Sequence, residues 1–274
     1  MSKIDISYAS KSEHNFAQRL VIKTIENVTG KRKLLNLYKN YLKDPKKPIN
    51  FWTEVLRLMD IKVTNKSLIP LHIPKSGPLI VIANHPFGII DGLILCSLVS
   101  KIRGDFKIMT HETLKFLPEL EKYILPVDFS NNKKETIKYN LETAKKAHRH
   151  LLDKGILIIF PSGSVSIAEN LKAEAKDNVW KNFPAKLIQQ TKSDVLPIYF
   201  DGKNGILFHL FASKLKSQTL KYSSYLHETR RKIGKTINIF CGEVILNKKL
   251  KLIDDKKQIT LMLRDITMSL SVKR

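Results

Sequence analysis

Residues 79–95 read LIVIANHPFGIIDGLIL, and this stretch decides the fold. Its first part, Leu79 to Asn84, has the length and the apolar composition of a buried β-strand. Pro86 and Gly88 then shape a turn, and a helix is expected to start near Asp91. Polar and turn residues interrupt the stretch too often for it to cross a membrane as one helix. It therefore predicts a strand, a turn and a helix start in an α/β protein.

Short apolar runs alternate with helical patterns from about residue 60 onward, and this alternation is typical of an α/β domain. Six runs have the composition of strands: Leu79 to Asn84, Phe106 to Thr110, Ile124 to Val127, Ile156 to Phe160, Val195 to Phe200 and Ile237 to Cys241. Four segments have helical spacing: about 88–100, 133–153, 178–191 and 255–270. The clearest helix, 133–153, has its apolar residues on one face: Ile137, Leu141, Ala144, Ala147 and Leu151.

The first 59 residues have a different pattern, which is helical and basic. Apolar residues recur at helical spacing from Phe16 to Val28, and leucines and tyrosines follow among lysines from Lys31 to Lys43. A short amphipathic segment around Trp52 comes next. Such helices suit a membrane surface, and they suit the covering of a core equally well. We therefore predict a membrane-facing N-terminal segment, residues 1–59, and an α/β domain, residues 60–274.

The chain is strongly basic, with 48 Lys and Arg against 25 Asp and Glu and a formal net charge of +23. Such a surface attracts nucleic acid, anionic lipid or an acidic carrier protein, although a general enrichment in lysine gives the same excess. A nucleic-acid-binding module is the main non-enzyme alternative. It is disfavoured because the lysines are scattered and no helix-turn-helix, zinc or RNA-recognition signature is present. A hydrophobic content of 43% argues against intrinsic disorder.

The sequence also bears on the compartment. No apolar stretch has the length of a spanning helix, and the polar first residues do not resemble a secretion signal. Cys96 and Cys241 are far apart in sequence and are predicted to be buried thiols in a reducing compartment. We therefore expect a peripheral protein on the cytoplasmic face of the cell membrane.

Asn84 and His85 stand at the end of the first predicted strand, and Asp91 follows across the turn. Functional side chains of α/β proteins collect at the carboxyl ends of buried strands. Across the turn, Asp91 can fix the tautomer of the imidazole, so that His85 acts as a general base toward a hydroxyl. The alternative is that Asp91 caps a helix and His85 is a hydrogen-bonded buried residue. Two ligands are too few for a metal site.

Two further predicted strands end in polar turns that contain glycine. Residues 155–166 read GILIIFPSGSVS, and residues 194–205 read DVLPIYFDGKNG. Backbone N–H groups in the first of these turns can hold a phosphate or a developing oxyanion. The Gly-x-Ser-x-Gly pattern of a nucleophile elbow is absent, so no catalytic serine is predicted. Three strands that end in three polar turns imply a cleft along one edge of the sheet.

These segments resemble three sequence blocks of the glycerolipid (lysophospholipid) acyltransferase superfamily. Residues 84–92, NHPFGIIDG, resemble its His-Asp block. Residues 160–166, FPSGSVS, are similar to its Phe-Pro-Glu-Gly-Thr-Arg-Ser block, and residues 195–200, VLPIYF, are similar to its later apolar-Pro-apolar strand. The order and spacing of the blocks also fit, and the resemblance extends over residues 60–245.

The resemblance implies a mixed twisted sheet flanked by helices, and acyl transfer from acyl-CoA or acyl carrier protein to a lipid hydroxyl. It implies no metal and no organic cofactor. His85 is implied as the general base and Asp91 as its orienting partner. The residues implied to contact substrate are Asn84, Gly88, Phe160, Pro161, Ser162, Gly163 and Ser164. The implied partners are a membrane lipid acceptor, the acyl donor and an anionic membrane surface, and not nucleic acid.

The sequence departs from the family pattern in three places. Five residues separate His85 from Asp91 where four are usual, which resembles a hemolysin-like and lyso-ornithine lipid acyltransferase subgroup. Ser162 and Val165 stand where the family has Glu and Arg, and Asp128 stands where an Arg is common. Without an Arg that binds phosphate in a bidentate manner, the expected acceptor is a lyso-aminolipid such as a lyso-ornithine lipid.

Two alternatives use the same scaffold. A 1-acylglycerol-3-phosphate acyltransferase that makes phosphatidate remains open if lysines supply the missing charge, the candidates being Lys133, Lys134 and Lys203. A hydrolase is also compatible with the sequence, since His85 would then activate water instead of a lipid hydroxyl.

Overall fold

The computed structural model describes residues 16, 31–43, 50–64, 72–111, 118–129, 133–170, 173–210, 212 and 218–272. It confirms the predicted α/β fold class, because a seven-stranded sheet lies between helices on both of its faces. The strand order is β1-β7-β6-β2-β5-β3-β4. The five strands from β6 to β4 are mutually parallel, whereas β6 and β7 are antiparallel, so the sheet is mixed.

The elements are named in chain order. The strands are β1 Lys62–Val63, β2 Leu79–Ala83, β3 Phe106–His111, β4 Ile124–Val127, β5 Ile156–Ile159, β6 Asp194–Asp201 and β7 Thr236–Cys241. The helices are α1 Lys31–Lys43, α2 Phe51–Leu58, α3 Ile89–Ser100, α4 Pro118–Glu121, α5 Lys133–Leu152, α6 Phe183–Thr191, α7 Ile206–His209, α8 Gln218–Arg231, α9 Asn247–Leu250 and α10 Lys256–Ser269, followed by a 3₁₀ turn at Leu270–Val272.

Strand β2 lies in the middle of the sheet, parallel to both of its neighbours, β5 and β6. Its side chains alternate between the two faces. Leu79 and Val81 pack with α2 and α3 on one face, while Ile80 and Ile82 pack with α5, α6 and α10 on the other. Because both faces are covered, every residue of β2 is buried, and the strand is a continuous apolar run instead of an alternating one.

The strands and helices predicted from residue 60 onward are all present, although the third of these helices begins only at Phe183. Strand β1, helix α8 and the four-residue helices α4, α7 and α9 were not predicted. The apolar face predicted for α5 is only partly covered: Ala147 and Leu151 are fully buried, whereas Ile137 and Leu141 are mostly exposed. The sheet therefore covers only the second half of this helix.

The N-terminal prediction is only partly described by the structure. The helix predicted from Phe16 to Val28 lies outside the described residues except at residue 16. Helix α2 covers the core, which is one of its two expected alternatives. Trp52 is 4% exposed, and its ring contacts Phe106 and Tyr123. Within the described ranges, each helix is too short or too polar to cross a membrane.

Replacing Trp52 with Ala is expected to lower the free energy of unfolding by about 3–5 kcal/mol, because removal of a buried aromatic side chain leaves a cavity. Urea denaturation followed by circular dichroism measures this. Val179 is well exposed, so Val179→Ala is the control and should change the free energy by less than about 0.5 kcal/mol. Wild-type stability in Trp52→Ala would show that α2 does not belong to the core.

Candidate active site

The turn between β2 and α3 places a carboxylate at the start of a helix. Gly88 has a φ of +78°, which side chains rarely adopt, and a Cβ there would lie 3.3 Å from Cγ2 of Val165. One turn into the helix, Oδ2 of Asp91 accepts hydrogen bonds from the N–H groups of Phe87 at 2.9 Å and Gly88 at 3.0 Å. The helix dipole also favours a negative charge at this end. The turn therefore fixes this carboxylate without help from a ligand.

His85 and Asp91 form the pair that the sequence predicted. Nδ1 of His85 lies 2.9 Å from Oδ2 of Asp91. When the carboxylate is ionised, Nδ1 carries the proton and donates it, which leaves Nε2 as a proton acceptor. Among the described residues, no side chain or backbone group bonds Nε2. The Asp91 side chain is fully buried, whereas that of His85 is 17% exposed, so the imidazole is accessible from outside while its partner is not.

Burial controls the protonation of Asp91. It raises the pKa of this carboxyl, while the hydrogen bonds from His85, Phe87 and Gly88 oppose the rise. The second oxygen, Oδ1, is buried and has no hydrogen-bond partner among the described residues. The ionised form is therefore less favourable in the folded protein than in the unfolded chain. The protein maintains a poorly solvated carboxylate at this position, which is typical of functional sites.

Asp177 positions the backbone of His85, and no sequence motif pointed to it. One carboxylate oxygen accepts the N–H of His85 at 3.2 Å and the hydroxyl of Ser166, and the other accepts the indole N–H of Trp180 at 2.8 Å. The carbonyl of His85 in turn accepts the N–H of Ser166 at 2.8 Å. The loop after β5 thereby fixes the turn after β2.

Asn84, predicted to contact substrate, uses its side-chain amide to join two strands. Its Nδ2 donates to the carbonyl of Phe200 at 2.9 Å, and its Oδ1 accepts the N–H of Phe200 at 2.7 Å. The side chain thus continues the hydrogen bonding between β2 and β6 one residue beyond the strand. Its amide therefore helps to position His85, and contact between Asn84 and substrate stays a prediction.

The second block forms a tight turn beside the imidazole. The ring of Phe160 stacks on that of His85 with 4.0 Å between centroids. Gly163, with a φ of +65°, donates its N–H to the carbonyl of Phe160 at 3.0 Å, and the buried Ser162 donates its hydroxyl to the carbonyl of Ser164 at 2.8 Å. Gly163 and Ser162 therefore use these donors within the turn.

Pro161 and Ser164 connect the same turn to the segment before α6. The carbonyl of Pro161 accepts the N–H of Lys181 at 2.9 Å. The hydroxyl of Ser164 accepts Nδ2 of Asn178 at 2.7 Å. Ser164 is half-buried, whereas Ser162 is buried, so Ser164 is the more accessible of the two serines in this turn.

The positions that lack the family arginines have other roles here. Val165 is buried against Gly88. The backbone of Asp128 donates its N–H to Oδ1 of Asn140 and accepts from Nδ2 of the same residue. Its carboxylate accepts the hydroxyl of Thr136, so Asp128 is fixed to the first half of α5. Of the lysines proposed to supply charge, Lys203 donates to the carbonyl of Ala173 at 2.6 Å, and Lys134 is exposed on α5. The side chain of Lys133 lies outside the described residues.

The turn after β6 also reaches the His-Asp turn, as the prediction of one shared edge requires. A Cβ on Gly202 would lie 2.9 Å from Cζ of Phe87. A groove of about 840 Å³ lies elsewhere, between β4 and α5, and is lined by charged side chains such as Lys138 and Glu142. None of the predicted site residues lines that groove.

Comparisons with known proteins agree with the predicted family. A family model described as acyltransferase matches residues 8–270. A lyso-glycine lipid O-acyltransferase of Phocaeicola vulgatus is 26% identical over 228 residues, which cover 80% of this chain and 76% of the relative. A protein of the same name from Bacteroides thetaiotaomicron is 25% identical over 213 residues, covering 77% and 74%.

A solved structure has the same fold. It is the crystal structure of the 1-acyl-sn-glycerophosphate (LPA) acyltransferase, PlsC, from Thermotoga maritima, with a TM-score of 0.50 and 14% sequence identity. The match covers 96% of this chain and 83% of that one.

Asp91→Asn is expected to unfold at a higher temperature than Asp91→Ala, because the amide oxygen remains an acceptor for the N–H groups of Phe87 and Gly88. Asp91→Ala should unfold at a lower temperature, since it leaves those two buried donors without an acceptor, at about 1–3 kcal/mol each. Thermal melts at pH 7 compare the three proteins. An Asn variant less stable than the Ala variant would contradict this account.

Proposed function

The chain belongs to the acyltransferase family, whose model matches residues 8–270, and we propose that it transfers a fatty acyl group from a thioester donor to the hydroxyl of a lysolipid. The single observation that supports this most strongly is the 2.9 Å hydrogen bond between the accessible imidazole of His85 and the buried carboxylate of Asp91. That pair is suited to the removal of a proton from a hydroxyl. The reaction needs no metal or organic cofactor, because a thioester is already activated.

The proposed reaction is a direct displacement with His85 as the base. Nε2 takes the hydroxyl proton while the hydroxyl oxygen attacks the carbonyl carbon of the thioester. Asp91 stabilises the imidazolium that forms. The C–S bond then breaks, and the departing thiolate takes the proton from the imidazolium. We assign the hydroxyl of Ser164, in the turn that follows Phe160, as a donor to the oxyanion of the intermediate.

For the acceptor, we propose a lysolipid with an amino-acid headgroup. Both curated relatives are named for a lyso-glycine lipid, so glycine takes precedence over the ornithine expected from the sequence. Ser162 and Val165 supply no cation where the family has its phosphate-binding block, and both are buried. This disfavours an acceptor with a phosphate monoester. The donor is acyl-CoA or acyl carrier protein, and the net charge of +23 attracts either of these acidic molecules.

We further propose that the sheet edge that holds His85 faces an anionic membrane, with the protein bound peripherally on the cytoplasmic side. Three segments that follow β4, β5 and β6 at this edge present well-exposed apolar side chains: Phe129, Val179, and the adjacent pair Ile206 and Leu207. Arg231, at the end of α8, lies against Gly205, which directly precedes Ile206. Apolar side chains surrounded by basic ones are typical of surfaces that bind lipid headgroups.

His85→Ala is expected to reduce acyl transfer by about 10²–10⁴-fold, because a positioned general base contributes that much. The assay follows labelled acyl-CoA and labelled acyl carrier protein with lyso-glycine lipid, lyso-ornithine lipid and lysophosphatidate by thin-layer chromatography. An unchanged thermal melt is the control for folding. Substantial transfer by the variant would refute the mechanism, and thioester loss that does not depend on lysolipid would identify a hydrolase.

Replacing Ile206 and Leu207 with Ser is expected to weaken binding to anionic vesicles at least about tenfold, because two apolar side chains no longer enter the lipid surface. Vesicle co-sedimentation measures this. Leu252→Ser is the matched control: Leu252 is also well exposed, but it precedes α10 near the opposite edge of the sheet. Equal vesicle binding by all three proteins would exclude this edge as the lipid-binding surface.

A further inference from the structure

Lys232 lies against the turn that joins His85 to Asp91. It follows α8 directly, and its Nζ donates to the carbonyl of Lys203 at 3.2 Å. The same Nζ lies 3.9 Å from the ring centroid of Phe87. The N–H of Phe87 donates to Oδ2 of Asp91, so the cation stands beside the residue that holds the carboxylate. No sequence block pointed to this lysine.

Two carboxylates act on the charge of Lys232. Glu228 and Asp91 both interact with it electrostatically and favour its ionised form. Glu228 is almost fully buried, and it accepts the N–H of Gly205 at 2.8 Å and Nη1 of Arg231 at 3.3 Å. Burial lowers the pKa of Lys232, whereas the two carboxylates raise it and Arg231 and Lys235 lower it.

We propose that Lys232 is a positioning residue that acts through Asp91, with its charge keeping the carboxylate ionised and the proton of the imidazole on Nδ1 of His85. The buried oxygen Oδ1 of Asp91 has no hydrogen-bond partner among the described residues. Lys232 interacts electrostatically with this carboxylate, so its charge adds to the compensation from the groups that bond Oδ2. A positive charge beside the pair opposes uptake of a further proton, and such a proton would occupy Nε2 and block the base. The kinetic part of this inference rests on the function proposed above.

The test is the pH profile of kcat/KM. Lys232→Met removes a positive charge, so His85 and Asp91 together take up the proton that blocks Nε2 at a higher pH. The acid limb of the profile is therefore expected to shift to higher pH by about 1 pH unit. Lys232→Arg keeps the charge and should leave the limb in place. Lys235→Met is the matched control: it removes the same charge three residues away, but Lys235 is exposed, so solvent screens the effect and the limb should move little.

Glu228→Gln should shift the pH profile in the opposite direction. It removes a negative charge that acts on Lys232, so the acid limb should move to lower pH. General damage to the fold does not produce opposite shifts in two variants, and thermal melts check that each variant is folded. Limbs that coincide in all variants, or a shift of the same sign in Lys232→Met and Glu228→Gln, would overturn the proposal.

A second readout needs no acyl transfer. In the protein without substrate, ¹⁵N NMR of the His85 ring reports the pH at which the pair takes up its proton, and the midpoint should move in the same directions. If the midpoints move but no lysolipid is acylated, the proposed function is wrong and the role of Lys232 stands. If Lys232→Met instead raises KM for lysolipid with limb and midpoint unchanged, Lys232 binds the headgroup and the proposal is wrong.

Discussion

A buried carboxylate that must remain charged is the constraint on which the rest of the site depends. Asp91 is fully removed from solvent, yet three hydrogen-bond donors converge on one of its oxygens: Nδ1 of His85 and the N–H groups of Phe87 and Gly88. Burial raises the pKa of Asp91, so each of these donors, and the helix dipole, works against the loss of the charge. The same burial strengthens the hydrogen bond between Asp91 and the imidazole of His85, because a charge-assisted hydrogen bond is stronger where water is excluded.

The sheet topology explains why one edge collects the chemistry. Strand β2 stands between β5 and β6 with all three parallel, so the turns that follow them lie side by side. Each neighbour then contributes a contact that the isolated His-Asp turn lacks. The loop after β5 supplies Asp177, which bonds the backbone of His85, and β6 supplies Phe200, which pairs with the amide of Asn84. The imidazole is thus positioned from both sides, while its own face rests on Phe160.

The proposal that this edge meets lipid agrees with the composition of its surface. The exposed apolar pair Ile206 and Leu207 follows β6 on the side of the sheet that also holds His85. Trp52 of helix α2 suits either a membrane surface or a core, and its side chain packs in the core. In the described part of the chain, lipid contact through α2 is therefore less favourable than contact through the loops at the sheet edge.

The sequence by itself determined the elements whose causes are local. Continuous apolar runs predicted the six strands. The stretch around Pro86 and Gly88 predicted the turn and the His-Asp pair, because His85 and Asp91 are only six positions apart. Helix α8 was not predicted because it is polar along most of its length. It packs against helices α7, α1 and α3 in the folded protein. Tertiary structure alone decided that Asp177, 92 positions from His85, fixes its backbone, and that Lys232 stands beside Phe87. Such contacts depend on which strands are neighbours in the sheet, and that choice is made by burial of both sheet faces, which no local spacing encodes.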